Sequence, residues 1–267
     1  MHLPWSQALI LLPALMALML LAQWILGRCQ RRGHVDLLWA LLIGAQACIY
    51  AVSGTGWEPR KWLVLALAGF WALRLSLHLA RRLGRDGEDG RYRAMEKAAG
   101  DRSPLVFLGF FQAQALAAWV FALPFFVLVQ DATPSWRTPE WAALLLWALS
   151  IGGVILADHQ LDRWRRAPEH RGLTCRGGLW AWSRHPNYFF ESLLWAAYAV
   201  AAIGTAGLWI NLAIALLMLL MITRVSGIPF AEQQALRSRG DDYRDYQSST
   251  SAFFPLPPRH VHRHPSR

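Results

Sequence analysis

Seven apolar stretches, each close to the length of a membrane-crossing helix, constrain the fold of this chain more than any other feature. They cover residues 6–27, 36–54, 60–81, 104–129, 140–158, 187–203 and 206–224. A helix of roughly 20 apolar residues crosses a bilayer, where only helices and closed barrels satisfy their backbone groups. The composition agrees, because 55% hydrophobic and 16% charged residues are too apolar for an ordinary soluble domain. The sequence therefore predicts an all-α polytopic membrane bundle with about seven transmembrane helices.

The positions of the positive charges predict the orientation of this bundle. If the N-terminus lies outside, every Lys and Arg falls in a cytoplasmic loop or the cytoplasmic C-terminal part, except Arg60, Lys61, Arg74 and Arg137. This is the positive-inside pattern of membrane proteins. It also accounts for the net charge of +10 without a nucleic acid partner. We expect the inner membrane of a bacterium, with any active site facing the cytoplasm.

We expect residues 1–254 to form a single transmembrane domain, and residues 255–267 to form a basic, disordered tail. The first apolar run is interpreted as a membrane helix because basic residues follow it where a cleaved signal has small ones. The three cysteines, Cys29, Cys48 and Cys175, have no metal-ligand spacing and are interpreted as free thiols. No metal is predicted.

Polar residues surround the start of the sixth apolar stretch. Pro186 suits the first turn of a helix, where a missing N–H is no loss. Asn187 and Glu191 are then four residues apart and share a face. Arg184 and His185 lie just before this turn, where the helix dipole already favours an anion. An ionisable group within a span indicates a functional site. Alternatively, the basic pair snorkels to the interface and Glu191 pairs with a neighbouring helix.

Two further segments carry cytoplasmic polar groups. Asp158, Asp162 and Arg165 share a face of the extension of span five. An Asp or Gln on such a face is suited to ribose hydroxyls, and Arg165 or Arg166 to a phosphate. The alternative is a solvated amphipathic helix end. Glu232 follows the last span, on the same predicted side as Arg184, and would complete a cofactor pocket. The alternative there is an interfacial helix.

Candidate catalytic groups lie in the N-terminal half. Tyr92 lies in a loop of alternating charge and is a candidate proton donor, although such loops are more often simply solvated. Asp36 opens span two and either caps its helix or pairs with Arg74 or His78 on span three. A structural pair is favoured there over a catalytic one.

Seven segments together form a recognisable pattern: Asp36–Trp39, Arg74–His78, Glu88–Tyr92, Ala157–Gln160, Gly178–Trp180, Ser183–Tyr188 and Thr250–Pro255. In this order they closely resemble the bacterial relatives of steroid 5-alpha-reductase, over about residues 34–259. The Arg-His-Pro-Asn-Tyr block alone also resembles isoprenylcysteine carboxyl methyltransferases. Those enzymes pair it with a Glu before a terminal Tyr-x-x-Tyr, as Glu232 and Tyr243 to Tyr246 are placed here.

The first resemblance implies NADPH in a cytoplasm-facing cavity of a seven-span bundle. It also implies hydride transfer to the activated C=C of a lipid-like enone that enters from the membrane. The predicted cofactor-binding residues are Asp158, Arg165, Arg184, His185, Asn187, Tyr188, Glu191 and Glu232. The predicted catalytic residues are Asp36, His78 and Tyr92, the nearest counterparts of the family's substrate-polarising Glu and Tyr.

Three functions are weighed on these grounds. The first is an NADPH-dependent reductase, and the alternative is a membrane methyltransferase using S-adenosylmethionine. The third is a non-enzymatic lipid-binding or assembly protein. The expected partners are the lipid bilayer and a hydrophobic small-molecule substrate.

Overall fold

Helices are the only regular elements in the part of the chain that the computed structural model describes, which is residues 3–87 and 90–259 without the side chain of Asp86. In chain order they are α1 (Trp5–Leu9), α2 (Leu11–Arg28), α3 (His34–Ser53), α4 (Glu58–Asp86), α5 (Gly90–Ala99), α6 (Ser103–Leu128), α7 (Thr138–Arg166), α8 (Pro186–Ala201), α9 (Leu208–Leu220), α10 (Ile228–Arg239) and α11 (Asp241–Ser249). A π-helical turn, Met221–Val225, follows α9. The all-α prediction is confirmed for these residues.

Six helical stretches in the described ranges are long and apolar enough to cross a membrane: Trp5–Arg28, His34–Ser53, Glu58–Arg85, Gly90–Leu128, Thr138–Arg166 and Leu208–Arg239. They identify an integral membrane protein whose apolar helices contact lipid. The predicted span 187–203 corresponds to α8, which has 16 residues. Its length of about 24 Å is shorter than the roughly 30 Å of a bilayer core. The seventh span and the orientation of the termini stay predictions.

The chain divides into two compact units, Met1–Trp136 with Gly204–Asn211 and Arg137–Ile203 with Leu212–Arg267. In the first, α3 packs on α4 and α6. The Trp39 ring meets Trp71 and Phe121 edge-on, with centroids 6.2 and 5.7 Å away. Buried Gln46 donates from Nε2 to the Ala118 carbonyl at 3.0 Å, which joins α3 to α6. The predicted single domain 1–254 stays a prediction.

Arg60, one of the four basic residues predicted to lie outside the cytoplasmic parts of the chain, is buried in this first unit. Its guanidinium donates to the carbonyls of Asp131 at 2.8 Å, Thr133 at 3.0 Å and Ser135 at 2.8 Å. A buried guanidinium needs such acceptors, because an unpaired buried donor costs the free energy of a lost hydrogen bond. Arg60 therefore holds the connection between α6 and α7 in place.

The second unit is built on the contact between α7 and α8. Gly153 permits it, because a Cβ there would lie 2.4 Å from the Phe190 ring. Arg137 caps the other end of α8 by donating to the carbonyls of Ile203 at 2.7 Å and Ala201 at 3.3 Å. The last carbonyls of a helix receive no N–H from within the helix, so the Arg137 guanidinium supplies the missing hydrogen-bond donors.

The region after α11 begins as a docked segment. Leu256 donates its backbone N–H to the Trp182 carbonyl at 2.9 Å, and Arg259 donates to the Ser249 carbonyl at 2.8 Å. Both belong to the predicted disordered tail 255–267. Residues 260–267 of that tail lie outside the described residues, as do Glu88 and Asp89 of the Glu88–Tyr92 motif.

Candidate functional site

Two of the sequence motifs contact each other: Ala157–Gln160 on α7 and Gly178–Trp180 in the loop before α8. The Gln160 Oε1 atom accepts the backbone N–H of Leu179 at 2.9 Å, and the Trp180 indole donates to the Ala157 carbonyl at 3.0 Å. Gly178 has φ +60°, and a Cβ there would lie 2.5 Å from the Gln160 amide. Glycine adopts this backbone without strain. The loop that leads into α8 is thereby fixed against the cytoplasmic extension of α7.

The start of α8 agrees with its sequence. Pro186 is the first helical residue, as predicted, and His185 occupies the N-cap position. Ser183, fully buried, accepts the His185 backbone N–H at 3.1 Å and donates to the Phe253 carbonyl at 2.9 Å. The segment after α11 thus supports the turn that carries the predicted Arg184–Asn187 residues.

The guanidinium of Arg184 is almost fully committed to partners within this unit. Its Nε and Nη2 atoms each lie 2.7 Å from Oε1 of Glu232. Its Nη1 donates to the carbonyls of Gln247 at 3.1 Å and Thr250 at 2.6 Å. An arginine has five N–H donors, and these contacts use four of them. Arg184 therefore organises the C-terminal part of the unit, and its direct contact with a cofactor stays a prediction.

Glu232, which the sequence places only on the same predicted side of the membrane as Arg184 and His185, is the centre of this cluster. Its Oε1 lies 3.3 Å from Nε2 of His185 and 3.5 Å from the Tyr243 hydroxyl. Its Oε2 accepts the Gln247 side-chain amide at 2.9 Å. Sequence reasoning missed Gln247, because a polar residue on a short amphipathic helix carries no signal of its own.

His185 is buried, and its ring stacks on Tyr188 with centroids 5.5 Å apart. Burial lowers the pKa of the imidazole, and this outweighs the opposing effect of the Glu232 carboxylate. The charges of Arg184 and Arg239 add to the lowering. The geometry therefore favours a neutral His185 at neutral pH.

We expect this buried imidazole to make the protein less stable in mild acid. Because the pKa of His185 is lower in the folded chain than its ordinary 6.5, the unfolded chain binds the proton more readily. The contribution of His185 to stability is then fully present above pH 6.5 and is lost as the pH falls toward the pKa of the folded chain. Thermal unfolding in detergent between pH 7.5 and 5.5 measures the loss. His185→Gln should reduce the slope, and the exposed control His159→Gln should not. Equal slopes for His185→Gln and wild type would contradict the expectation.

Asp158 and Asn187 meet between α7 and α8. The Asn187 Nδ2 donates to Asp158 Oδ1 at 3.3 Å, and Asn187 Oδ1 accepts the Tyr188 backbone N–H at 3.0 Å. Glu191, one turn along α8, accepts the Trp195 indole N–H at 3.3 Å. Arg165 is exposed two turns beyond Asp158 on α7. The structure thus joins Asp158 to Asn187 directly and places Arg165 and Glu191 on the same two helices.

Two buried donors that the sequence did not single out lie in this unit. The Arg239 guanidinium stands 4.9 Å from the centroid of the Tyr243 ring. Within the described part of the chain, Nε of Arg239 and Nε1 of Trp164 have no hydrogen-bond partner. Burial raises the pKa of the Cys175 thiol, and the charges of Arg165 and Arg239 both act against that rise. The positive charges of Arg165 on α7 and Arg239 on α10 therefore both act on the Cys175 thiol.

The predicted catalytic residues lie in the first unit. Asp36 is the third residue of α3 and does not cap it, since Gly33 holds that position; the capping alternative is wrong. Its carboxylate accepts the Tyr92 hydroxyl and an Arg91 N–H, both at 2.7 Å. The pairing of Asp36 with Arg74 or His78 stays a prediction. His78 lies half-buried on α4.

A bundle of long apolar helices with polar clusters at their ends is the structure of a polytopic integral membrane protein. This chain belongs to the DUF1295 family, described as a protein of unknown function, which matches residues 23–250. It is similar to the uncharacterized protein C594.04c of Schizosaccharomyces pombe (strain 972 / ATCC 24843), with 27% identity over 259 residues. That match covers 83% of this chain and 72% of the yeast protein. No solved structure matches the chain.

Proposed function

We propose that this protein is an integral-membrane, NADPH-dependent reductase of the activated C=C bond in a hydrophobic, steroid- or lipid-like enone. The observation that carries the proposal is the Asp158–Asn187 hydrogen bond between α7 and α8. It joins two of the residues that the steroid-reductase resemblance assigns to cofactor contact. We further propose seven spans with a cytoplasmic C-terminus, in the inner membrane of a bacterium, so that these groups face the cytoplasm.

The polar groups of the second unit fit a phosphorylated dinucleotide. Asp158 offers a carboxylate to ribose hydroxyls, and Asn187 offers an amide beside it. Arg165 is exposed, and the Nε atom of Arg239 has no hydrogen-bond partner in the described residues. Both arginines are therefore suited to donate hydrogen bonds to phosphate oxygens. The Arg184–Glu232–His185 cluster holds the start of α8, and with it Asn187, in a fixed position.

NADPH supplies the hydride in such a reaction, and the chain supplies binding, orientation and a proton. Tyr92, in the first unit, stays the candidate proton donor that the sequence offers. Its hydroxyl hydrogen is held by Asp36, so it reaches a substrate only by exchanging that bond. Arg91 balances the Asp36 carboxylate on its other oxygen.

A methyltransferase using S-adenosylmethionine is the second candidate, and one observation favours it. The structure joins Arg184, His185 and Glu232 to Tyr243, the same residue types that the isoprenylcysteine methyltransferase resemblance combines. Against it, S-adenosylmethionine carries no phosphate and makes no use of the arginines near α7.

Cofactor binding to the purified protein tests the proposal. We expect NADPH to raise the unfolding temperature in detergent, by the equivalent of about 2.7 kcal/mol at a hundred times its Kd. Asn187→Ala should remove most of the effect, and the exposed control Gln234→Ala should retain it. Stabilisation by S-adenosylmethionine without NADPH would favour the methyltransferase. No effect of either compound would favour a non-enzymatic lipid-binding or assembly protein.

A further inference from the structure

The segment after α11 exposes an apolar edge beside the candidate site. Phe254 is 61% exposed, Leu256 51% and Trp182 47%. We name these three side chains the apolar edge. Large apolar side chains that stand together in the open mark an interaction surface.

This edge is held rigidly. The Ser251 carbonyl accepts the Arg184 backbone N–H at 2.8 Å, and Leu256 donates to the Trp182 carbonyl at 2.9 Å. The Phe254 ring packs edge-on against Phe253 and Phe189, with centroids 5.2 and 6.2 Å away. Phe254 and Leu256 are therefore exposed although the backbone around them is bonded, so a loose chain end does not explain their exposure.

The two segments that carry the edge contain no acidic residue, and Glu232 on α10 pairs with Arg184. Residues 250–259 contain no acidic side chain and one basic residue, Arg259; residues 178–184 contain only Arg184. Aromatic side chains with nearby cations are the groups that bind the headgroup region of a bilayer. Trp and Phe lie at that level with their rings toward the acyl chains, while arginines remain near the phosphates.

The edge is also continuous with a membrane helix. Arg184, which bonds the Thr250 and Ser251 carbonyls, forms an ion pair with Glu232. Glu232 belongs to the helical stretch Leu208–Arg239, which is long and apolar enough to cross the membrane. The edge is therefore tied to a span rather than to a part of the chain that extends far into water.

We propose that Trp182, Phe254 and Leu256 insert into the headgroup–acyl boundary of the membrane, so that this segment is an interfacial anchor. The occupant of the edge is the lipid bilayer. The proposal is independent of the cofactor, because it rests on exposure, charge and backbone bonding alone.

Site-specific quenching in vesicles tests it. Phe254→Cys and Leu256→Cys are each labelled with an environment-sensitive fluorophore after Cys29→Ser and Cys48→Ser remove the exposed thiols. Cys175 stays, since it is buried and burial raises its pKa, which leaves little reactive thiolate. The matched control is Ser248→Cys, an exposed position on α11. The protein is reconstituted into phosphatidylcholine vesicles containing phosphatidylglycerol.

We expect labels at 254 and 256 to be quenched by nitroxide lipids and protected from iodide, with a lipid-to-iodide ratio about fivefold above that of the 248 label. Both side chains are more than half exposed, so each substitution removes little buried surface, and Leu256→Cys leaves the ring contacts of Phe254 intact. Quenching by iodide equal to the control would overturn the proposal. Protection from both quenchers would overturn it as well, because a second copy of the chain or another protein would then cover the edge.

Discussion

Arg184→Ala is expected to lower the free energy of unfolding by about 3–5 kcal/mol, the usual cost of removing one partner from a buried ion pair. The side chains of Arg184 and Glu232 are 11% and 18% exposed, so the carboxylate that remains is poorly solvated. The Gln247 and Thr250 carbonyls lose their donor in the same variant. A lower unfolding temperature in detergent reports the loss.

Arg244→Ala is the matched control for this prediction. Arg244 pairs with Asp241 at 2.6 Å, but the two side chains are 67% and 93% exposed. Exposed pairs contribute about 0–1 kcal/mol because water and salt screen them. If both variants unfold at the same temperature, the Arg184 cluster is not a structural centre of this unit.

Arg165→Gln is expected to weaken NADPH binding about 30-fold, or about 2 kcal/mol, if Arg165 contacts a phosphate as we propose. The substitution keeps length and polarity and removes the charge. A loss larger for NADPH than for NADH would assign Arg165 to the 2′-phosphate, and an equal loss would assign it to the pyrophosphate. Titration of the bound nucleotide's fluorescence measures each affinity.

Arg163→Gln controls for the general positive potential of the same helix. Arg163 is exposed as Arg165 is, but two positions away, and it therefore projects from a different side of α7. Its affinity for NADPH should stay within about twofold of the wild type, since a solvent-screened charge contributes little. Equal losses in both variants would show a diffuse electrostatic effect and refute a specific contact.

Local rules were sufficient for most of the helices. Six of the seven predicted apolar runs lie in helical stretches long enough to cross a membrane. The predicted extension of span five into a polar helix is also confirmed, since α7 runs unbroken to Arg166. Pro186 correctly marked the start of α8. Each of these depends on side chains within a turn or two of one another, which sequence periodicity reports directly.

The partners of the polar residues required tertiary structure. From the sequence, Asp36 could cap a helix or bind a neighbouring residue. Its observed partners, Arg91 and Tyr92, lie on α5, and the sequence does not show that α5 comes close to Asp36. Likewise, nothing in the sequence connects Glu232 to Gln247, which α11 brings back beside it. Cofactor contact and catalysis by these residues stay predictions, because hydrogen bonds within the protein show position and not chemistry.

The timing of synthesis gives the Arg184 cluster a consequence for biogenesis. Thr250, whose carbonyl holds the Arg184 guanidinium, lies 66 residues later in the chain. At roughly 5–20 residues per second, a ribosome needs about 3–13 s to cover that distance. During this interval the Arg184 guanidinium lacks one or more of the Glu232 and Thr250 partners that fix the start of α8 in the folded chain. Ribosomes stalled before Glu232 should therefore leave α8 open to added protease.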